Sequence, residues 1–178
     1  MLDELVELFL AEGFRQFTLA DLARRLHCSK TTLYGLGHSK EGLILNALRH
    51  FFARAGESVD RRAAAEDEAE ARIVAYLRAV ADELRPASPR FVADLATHPA
   101  AREIYERNTR IAAERVSVMI ADGVERGSFR AIDASFAADL IATTMARIQG
   151  GEVGRGTGLS DAAAYEELAD LVLHGIAT

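Results

Sequence analysis

The sequence predicts an all-α protein of about nine helices. Three observations predict this class. Apolar residues recur at three- and four-residue spacing along most of the chain, and no segment shows the two-residue alternation of a strand. Alanine, leucine and arginine, all good helix formers, dominate the composition. The three prolines fall between predicted helices or in the first turn of one.

The first predicted helix begins almost at Met1 and ends before Gly13. Its apolar stripe consists of Leu2, Leu5, Val6, Phe9 and Leu10. A second helix begins after Thr18, which can cap it, because Asp21 stands three residues later and completes a capping-box-like pair. This second helix carries Leu19, Leu22, Ala23 and Leu26 at one-face helical spacing.

The next predicted elements form a helix-turn-helix. His27 and Cys28 leave room for only a very tight turn after the second helix. Ser29 can cap a short helix over residues 30–36, and Ser39 can cap a further helix. Two short helices joined by such a turn place the second helix where it can enter the DNA major groove.

Beyond this motif the chain continues as helices. They are predicted over residues 41–57, 71–85, 91–97 and 100–125, then after the caps Asp133 and Ser160. Residues 61–70 fit either a helix or a linker, and we expect a break there. The glycine-rich segment 150–158 is expected to be a flexible loop, because it lacks the strand and the G-K-[ST] sequence of a phosphate cradle.

The segment TTLYGLGHSKEGL, which begins at Thr31, resembles the signature of the TetR/AcrR-type regulators, roughly T-L-Y-x-Y-F-x-S-K-E-x-L. The upstream residues Phe14, Thr18, Leu22, Ala23 and Leu26 fit the same pattern. The resemblance covers residues 2–48. It implies a helix-turn-helix DNA-binding domain over residues 1–48 and an effector-binding and dimerisation domain over residues 49–178.

The sequence departs from the family pattern at three places. His27 stands at a turn position that is usually glycine. Leu36 and Gly37 replace an aromatic pair, and we expect Phe14 or Phe17 to fill the space. Gly35 and Leu36 stand where the family often has polar side chains that meet DNA. In addition, the family's longer N-terminal lead-in is missing, so the natural start lies upstream or the arm is lacking.

The helix-turn-helix assigns a set of DNA contacts. A lysine can reach guanine or phosphate, a threonine can contact a base edge or a thymine methyl, and a tyrosine hydroxyl suits a phosphate. Helix starts also attract phosphate through their unpaired N–H groups. The predicted DNA-binding residues are Thr18, Ser29, Lys30, Thr31, Thr32, Tyr34, Ser39 and Lys40. For the helix of residues 30–36, which is the reading helix of the motif, the alternative is a solvated polar face. For Thr18 and Ser39, the alternative is that they only cap their helices.

The body domain carries two further predicted sites. The resemblance implies an effector pocket lined by Phe52, Tyr76, Phe91, Leu95, Tyr105, Thr109 and Met119, for which plain core packing is the alternative. The last two long helices have broad apolar sides that a second copy could cover in a four-helix interface. The predicted dimer residues are Phe136, Leu140, Ile141, Met145, Ile148, Tyr165, Leu168 and Val172.

Composition limits the other possibilities. The net charge is −6; residues 1–50 balance six basic against six acidic residues, so residues 51–178 carry the whole excess. The single cysteine, Cys28, excludes an internal disulfide and fits a cytoplasmic protein. No membrane span, signal peptide or cofactor is predicted, and His27, Cys28 and His38 do not have the spacing of a metal site. No catalytic residues stand out, so we do not expect an enzyme.

The sequence therefore favours a DNA-binding transcriptional repressor that forms a homodimer on double-stranded operator DNA. An unknown small-molecule effector would enter the body and shift the helix of residues 41–57, which would release the operator. The alternative is a DNA-incompetent helical homodimer that binds a ligand or a protein. Two features motivate that alternative. The DNA-binding domain of residues 1–48, the head, has no excess of basic residues, and residues 35–37 depart from the family pattern.

Overall fold

The computed structural model describes residues 1–129 and 133–176. Ten helices and no strand occur in that part of the chain, which confirms the all-α class. The helices are α1 (Leu2–Glu12), α2 (Leu19–Arg25), α3 (Lys30–Leu36), α4 (Lys40–Ala64), α5 (Ala69–Leu84), α6 (Pro89–Thr97), α7 (Pro99–Glu125), α8 (Ala134–Gln149), α9 (Glu152–Thr157) and α10 (Asp161–Ile176).

The glycine-rich segment 150–158 is not the loop that the sequence predicted, because it contains α9. Gly151 and Gly158 flank this helix with φ angles of 69° and 78°, so glycine supplies the left-handed conformation at both ends. Glu152 in its first turn accepts a hydrogen bond of 3.1 Å from the Arg147 side chain. Glycine-rich composition indicated the turns correctly and hid the short helix between them.

Helix α4 is longer than the predicted span of residues 41–57. Its apolar side continues through Ala55, Val59 and Ala63, which recur every four residues and are all buried. The expected break is therefore confined to the residues between Ala64 and Ala69. Alanine-rich composition left that extension ambiguous, because alanine favours a helix whether or not it packs.

The first of two compact units comprises residues 1–54 and 86–105. Its centre is a group of aromatic rings around Phe14, which is fully buried. The Phe14 ring lies 5.9 Å from that of Phe9, 6.0 Å from that of Phe91 and 5.9 Å from that of His98. The backbone N–H of Ser88 donates to the carbonyl of Leu10 at 2.8 Å, which ties the start of α6 to the end of α1.

The second compact unit comprises residues 55–85 and the described part of 106–178. Its core is built from α5, α7, α8 and α10, around fully buried Leu77, Ile120 and Met145. An ion pair of 2.7 Å between Arg78 and Asp170 joins α5 to α10 at the surface. After α7 ends, the Phe129 ring packs so closely on Gly123 that a Cβ on Gly123 would lie 2.2 Å from that ring.

Candidate nucleic-acid interface

The capping box at the start of α2 forms as the sequence predicted. The Asp21 N–H donates to the Thr18 hydroxyl at 3.2 Å, and the Asp21 carboxylate accepts from the Thr18 N–H at 3.0 Å. The Thr18 hydroxyl also donates to that carboxylate at 2.6 Å. These bonds from Thr18, with Arg24 nearby, lower the pKa of Asp21. Thr18 is exposed at the helix start, so its capping role leaves it on the surface.

The turn between α2 and α3 depends on an unusual backbone conformation. His27 has a φ of 49° and is the one residue other than glycine with positive φ in the described chain. The Cys28 N–H donates to the Ala23 carbonyl at 2.9 Å, which closes the turn after α2. The turn thus requires the left-handed conformation that glycine adopts most easily, and histidine adopts it with strain.

Helix α3 presents a polar side, while one apolar residue anchors it. Leu33 is fully buried, whereas Lys30, Thr31 and Thr32 are exposed and Tyr34 is 47% exposed. Ser29 caps the helix by accepting from the Thr32 N–H at 3.0 Å, and its hydroxyl lies 2.8 Å from that of Thr32. The Thr32 hydroxyl therefore supports the cap as well as the exposed face.

The end of α3 packs closely against the first turn of α4. A Cβ on Gly37 would lie 2.4 Å from the Leu43 nitrogen, so only glycine fits at this contact. The Asn46 side chain donates to the Leu36 carbonyl at 2.8 Å. The expectation that Phe14 or Phe17 fills the space is wrong at position 37, because the α4 backbone occupies it.

The start of α4 carries the last two predicted DNA contacts. Ser39 is exposed and caps the helix by accepting from the Gly42 N–H at 2.9 Å. The Lys40 ammonium donates to the Arg15 carbonyl at 2.7 Å, and its side chain is half-buried. Lys40 therefore has an intramolecular role that the sequence did not indicate.

The charges near the helix-turn-helix are partly neutralised by acids. Arg24 pairs with Asp21 at 2.7 Å, and Arg25 pairs with Glu12. Lys30 has no ion-pair partner among the described residues. Lys30 and Lys40 are also the only lysines of the sequence, a signal that the sequence reasoning missed. The exposed ammonium group of Lys30 on α3 therefore belongs to an N-terminal segment, residues 1–50, whose net charge is close to zero.

The predicted pocket residues fall in both compact units. In the first unit, Phe52 stacks on Tyr105 with ring centroids 5.6 Å apart, and Phe91 and Leu95 are buried. In the second unit, Tyr76 and Thr109 are buried and Met119 is partly buried. Burial raises the pKa of the Tyr76 phenol, and the hydrogen bond from Arg115 opposes that rise. Whether these residues line an effector pocket stays a prediction.

The predicted dimer residues divide into two groups. Six of them are buried in the core of the second compact unit: Ile141, Met145, Ile148, Tyr165, Leu168 and Val172. Phe136 and Leu140 of α8 are 65% and 56% exposed, so these two can contact a partner directly. On α10, the predicted dimer residues do not include Leu171, which is 71% exposed. The apolar spacing did not distinguish the side of each helix that faces the core from the side that faces outward.

No group of three metal-ligating side chains occurs among the residues that the structure describes. Within the same residues, no helix is long and apolar enough to cross a lipid bilayer.

The fold and this site define a helix-turn-helix protein of the DNA-binding class. Residues 1–47 match the family model described as bacterial regulatory proteins, tetR family. The resemblance to TetR/AcrR-type regulators is thereby confirmed for the N-terminal helix-turn-helix domain. No curated protein sequence matches the chain.

Solved structures share the fold over nearly the whole chain. A transcriptional regulator from Saccharomonospora viridis in complex with choline has a TM-score of 0.74 and 22% identity, covering 99% of this chain and 95% of its own. A TetR family regulator from Thermus thermophilus has a TM-score of 0.63 and 21% identity, covering 98% and 97%. A TetR/AcrR regulator from Thermobifida fusca has a TM-score of 0.66 and 22% identity, covering 98% and 94%.

Proposed function

We propose that this TetR-type regulator is a repressor that binds operator DNA as a homodimer and releases it when a small molecule binds. The observation that carries the DNA-binding part is the exposed face of α3. Its Lys30, Thr31 and Tyr34 side chains are exposed to solvent, whereas Leu33 of the same helix is buried and packs it onto the domain. Side chains of these types at the start of a reading helix can contact base edges and phosphates. We also propose that the protein acts in the cytoplasm, where its operator DNA lies, and that it has no enzymatic activity.

The contacts divide by helix. We assign Thr31 to a base edge in the major groove, Tyr34 to a phosphate, and Lys30 to a base or a phosphate. Thr18, Ser29 and Ser39 lie at helix starts, where the N–H groups and the positive helix end favour a phosphate. Lys40 directly follows Ser39. One N–H of its ammonium group donates to the Arg15 carbonyl, and the remaining N–H groups can donate to the phosphate that Ser39 meets.

The experiment is a binding titration with a labelled duplex that the wild-type protein selects from a random-sequence pool. Affinity is measured by fluorescence anisotropy at several salt concentrations. Lys30→Ala should weaken binding and lower the salt slope by about one unit if Lys30 meets a phosphate. If Lys30 reads guanine, the variant should instead lose roughly 1–3 kcal/mol of discrimination at one base pair.

Arg61→Ala is the matched control, because Arg61 is exposed in the last turn of α4 and lies in the second unit. It removes the same charge from a residue outside the helix-turn-helix, so the operator affinity should stay close to that of the wild type. Equal losses in both variants would mean that the titration reports overall charge and not the reading helix.

The dimer part of the proposal rests on α8 and α10. Phe136, Leu140 and Leu171 expose large apolar side chains, although the opposite sides of the same helices are buried. Exposed apolar groups of this kind mark contact surfaces. Two-fold pairing would place two reading helices about 34–36 Å apart, which matches successive major grooves.

The release step requires an effector that prefers one of two states of the dimer. We propose an apolar or amphipathic molecule that enters the body and shifts α4, which carries Ser39 as its cap. The experiment is a thermal-shift screen, with choline included because a protein of the same fold was solved with it. A hit should lower operator affinity; tight binding of a hit with unchanged operator affinity would contradict the release step.

The second candidate is a helical homodimer that binds a ligand or a protein but no DNA. The pairing of Arg24 and Arg25 with carboxylates favours it, since the head then offers few cations to phosphate. If the pool selection yields no duplex at low salt while the dimer stays intact, this candidate replaces the first.

A further inference from the structure

One carboxylate of α6 holds the turn between α1 and α2. The Oδ2 atom of Asp94 accepts hydrogen bonds from the backbone N–H groups of Phe14 at 2.7 Å and Arg15 at 2.9 Å. Hydrogen bonds to an ionised acceptor are about twice as strong as those between neutral groups. The residues lie eighty positions apart in the sequence, and all belong to the first compact unit.

The same turn is held from the other direction by the start of α4. The Arg15 carbonyl accepts from the Lys40 ammonium at 2.7 Å. Both backbone polar groups of Arg15 are therefore hydrogen-bonded to side chains of helices. The N–H donates to Asp94 of α6, and the carbonyl accepts from Lys40 of α4. Lys40 directly follows Ser39, which caps α4 by accepting from the Gly42 N–H.

The neighbouring residues leave room for this arrangement. Gly13 has a φ of 76°, and a Cβ on it would lie 2.6 Å from the Asp94 Oδ2 atom. The Arg15 side chain donates to the Thr97 hydroxyl at 2.8 Å, one turn along α6 from Asp94. The turn is thus built around the carboxylate, since a side chain on Gly13 would displace it.

We propose that Asp94 is a positioning residue for operator binding. It orders the turn at Phe14 and Arg15, and Arg15 in turn holds Lys40 and the first turn of α4 in the orientation that meets the phosphate. This inference rests on the proposed DNA binding, and it assigns a role to a residue outside the helix-turn-helix. Asp94 touches no DNA in this proposal.

The sign of the expected effect separates positioning from simple electrostatics. Removing a negative charge from a DNA-binding unit raises DNA affinity when charge alone matters, because less repulsion opposes the phosphates. Positioning predicts the opposite result, since Asp94→Ala leaves two backbone N–H groups without their acceptor and frees the turn.

The experiment compares Asp94→Ala, Asp94→Asn and Glu103→Gln in the full chain. Glu103 is exposed on α7 within the same unit, so Glu103→Gln removes the same charge from the surface. The probe is the fluorescein-labelled duplex that the wild type selects from a random-sequence pool. Asp94→Ala should lower the affinity roughly tenfold at every salt concentration, because the freed turn must be ordered on binding. The salt slope should stay unchanged, because Lys40 still meets its phosphate in the complex.

Asp94→Asn should retain part of the affinity, since its amide oxygen can still accept from the backbone but carries no charge. Glu103→Gln should bind as well as the wild type or better. An affinity of Asp94→Ala that equals or exceeds that of Glu103→Gln would overturn the proposal.

A second measurement decides the inference if an Asp94 variant folds poorly. Amide hydrogen exchange of DNA-free Asp94→Asn should be faster than in the wild type at Arg15 and Gly42, while the Leu77 amide in α5 serves as the internal reference. Unchanged exchange at Gly42 would overturn the link from Asp94 to α4. If exchange changes as expected but the wild type selects no duplex, the proposed function fails and the operator role of Asp94 fails with it, whereas the turn anchor stands.

Discussion

At the scale of single residues, the helix-turn-helix departs from ideal local chemistry at His27. The residue holds a φ of 49° in the tight turn, where a Cβ crowds the backbone. His27→Gly should therefore raise the free energy of unfolding by about 1 kcal/mol. Urea unfolding followed by circular dichroism measures the change. His27→Ala keeps the Cβ and should not stabilise; a gain equal to that of glycine would mean that the imidazole, not the backbone, causes the strain.

Gly35 within α3 and Gly37 directly after it give a matched pair of substitutions. A Cβ on Gly35 meets nothing within 4 Å, whereas one on Gly37 lies 2.4 Å from the Leu43 nitrogen. Gly35→Ala should stabilise the fold by roughly 0.5–1 kcal/mol, because alanine loses less backbone entropy in a helix. Gly37→Ala should destabilise it by about 1–3 kcal/mol through overpacking.

Melting temperatures of the two variants, measured side by side, check this prediction. Gly35→Ala should raise the melting temperature, and Gly37→Ala should lower it. Gly37→Ala with the stability of the wild type would show that α3 and α4 do not approach as closely as the structure has them.

At the scale of elements, the caps of α2, α3, α4, α6 and α8 follow from the sequence. Ser29, Ser88 and Asp133 each accept the N–H of the residue three positions later. This pattern is local, so short-range reasoning found most of these helix starts. Helix α6 begins at Pro89 and not at residue 91, because proline fits the first helical position where its missing N–H costs nothing.

The capping box of α2 makes the stability of that helix depend on pH. The hydrogen bonds from Thr18 lower the pKa of Asp21 in the folded protein. A lowered folded pKa means that the stabilisation is complete above the unfolded value, near pH 4, and is lost as the pH falls through the folded pKa. Asp21→Asn should therefore be less stable than the wild type at pH 6, with the difference shrinking towards pH 2.

Urea unfolding at pH 6, 4 and 2.5 measures that difference. The pKa of Asp3 is also lowered, by hydrogen bonds from His50 and Arg54, so the wild type alone does not isolate α2. The difference between the wild type and Asp21→Asn isolates the effect on α2, because Asp3 is present in both proteins. A difference that stays constant with pH would contradict the assignment to the Asp21 carboxylate.

At the scale of the whole molecule, the exposed apolar side chains of α8 determine the expected assembly. Phe136→Glu with Leu140→Glu should convert the proposed dimer into a monomer, because two charges would then face an apolar surface. Sedimentation velocity at several concentrations measures the state. Tyr34→Glu is the control, since Tyr34 is exposed to a similar degree on α3 and should leave the dimer intact. A wild-type chain that sediments as a monomer would remove the basis of the paired reading helices.

The sequence by itself determined the helical class, the helix-turn-helix and the caps that begin its helices. These features depend on residues within four positions of each other, so Thr18, Asp21, Ser29 and Ser39 could be assigned before any coordinates. It also predicted polar side chains on α3, and Lys30, Thr31 and Tyr34 are exposed there.

Only the tertiary structure decided which side of each long helix faces the core. An apolar stripe marks a side that avoids water, but it does not distinguish packing within a subunit from packing against a partner. On α8, Ile141 and Met145 are buried in the core of the chain, whereas Phe136 and Leu140 are exposed. The bonds of Asp94 and Lys40 to Arg15 were equally hidden, because they join residues far apart in sequence through backbone groups that every residue carries.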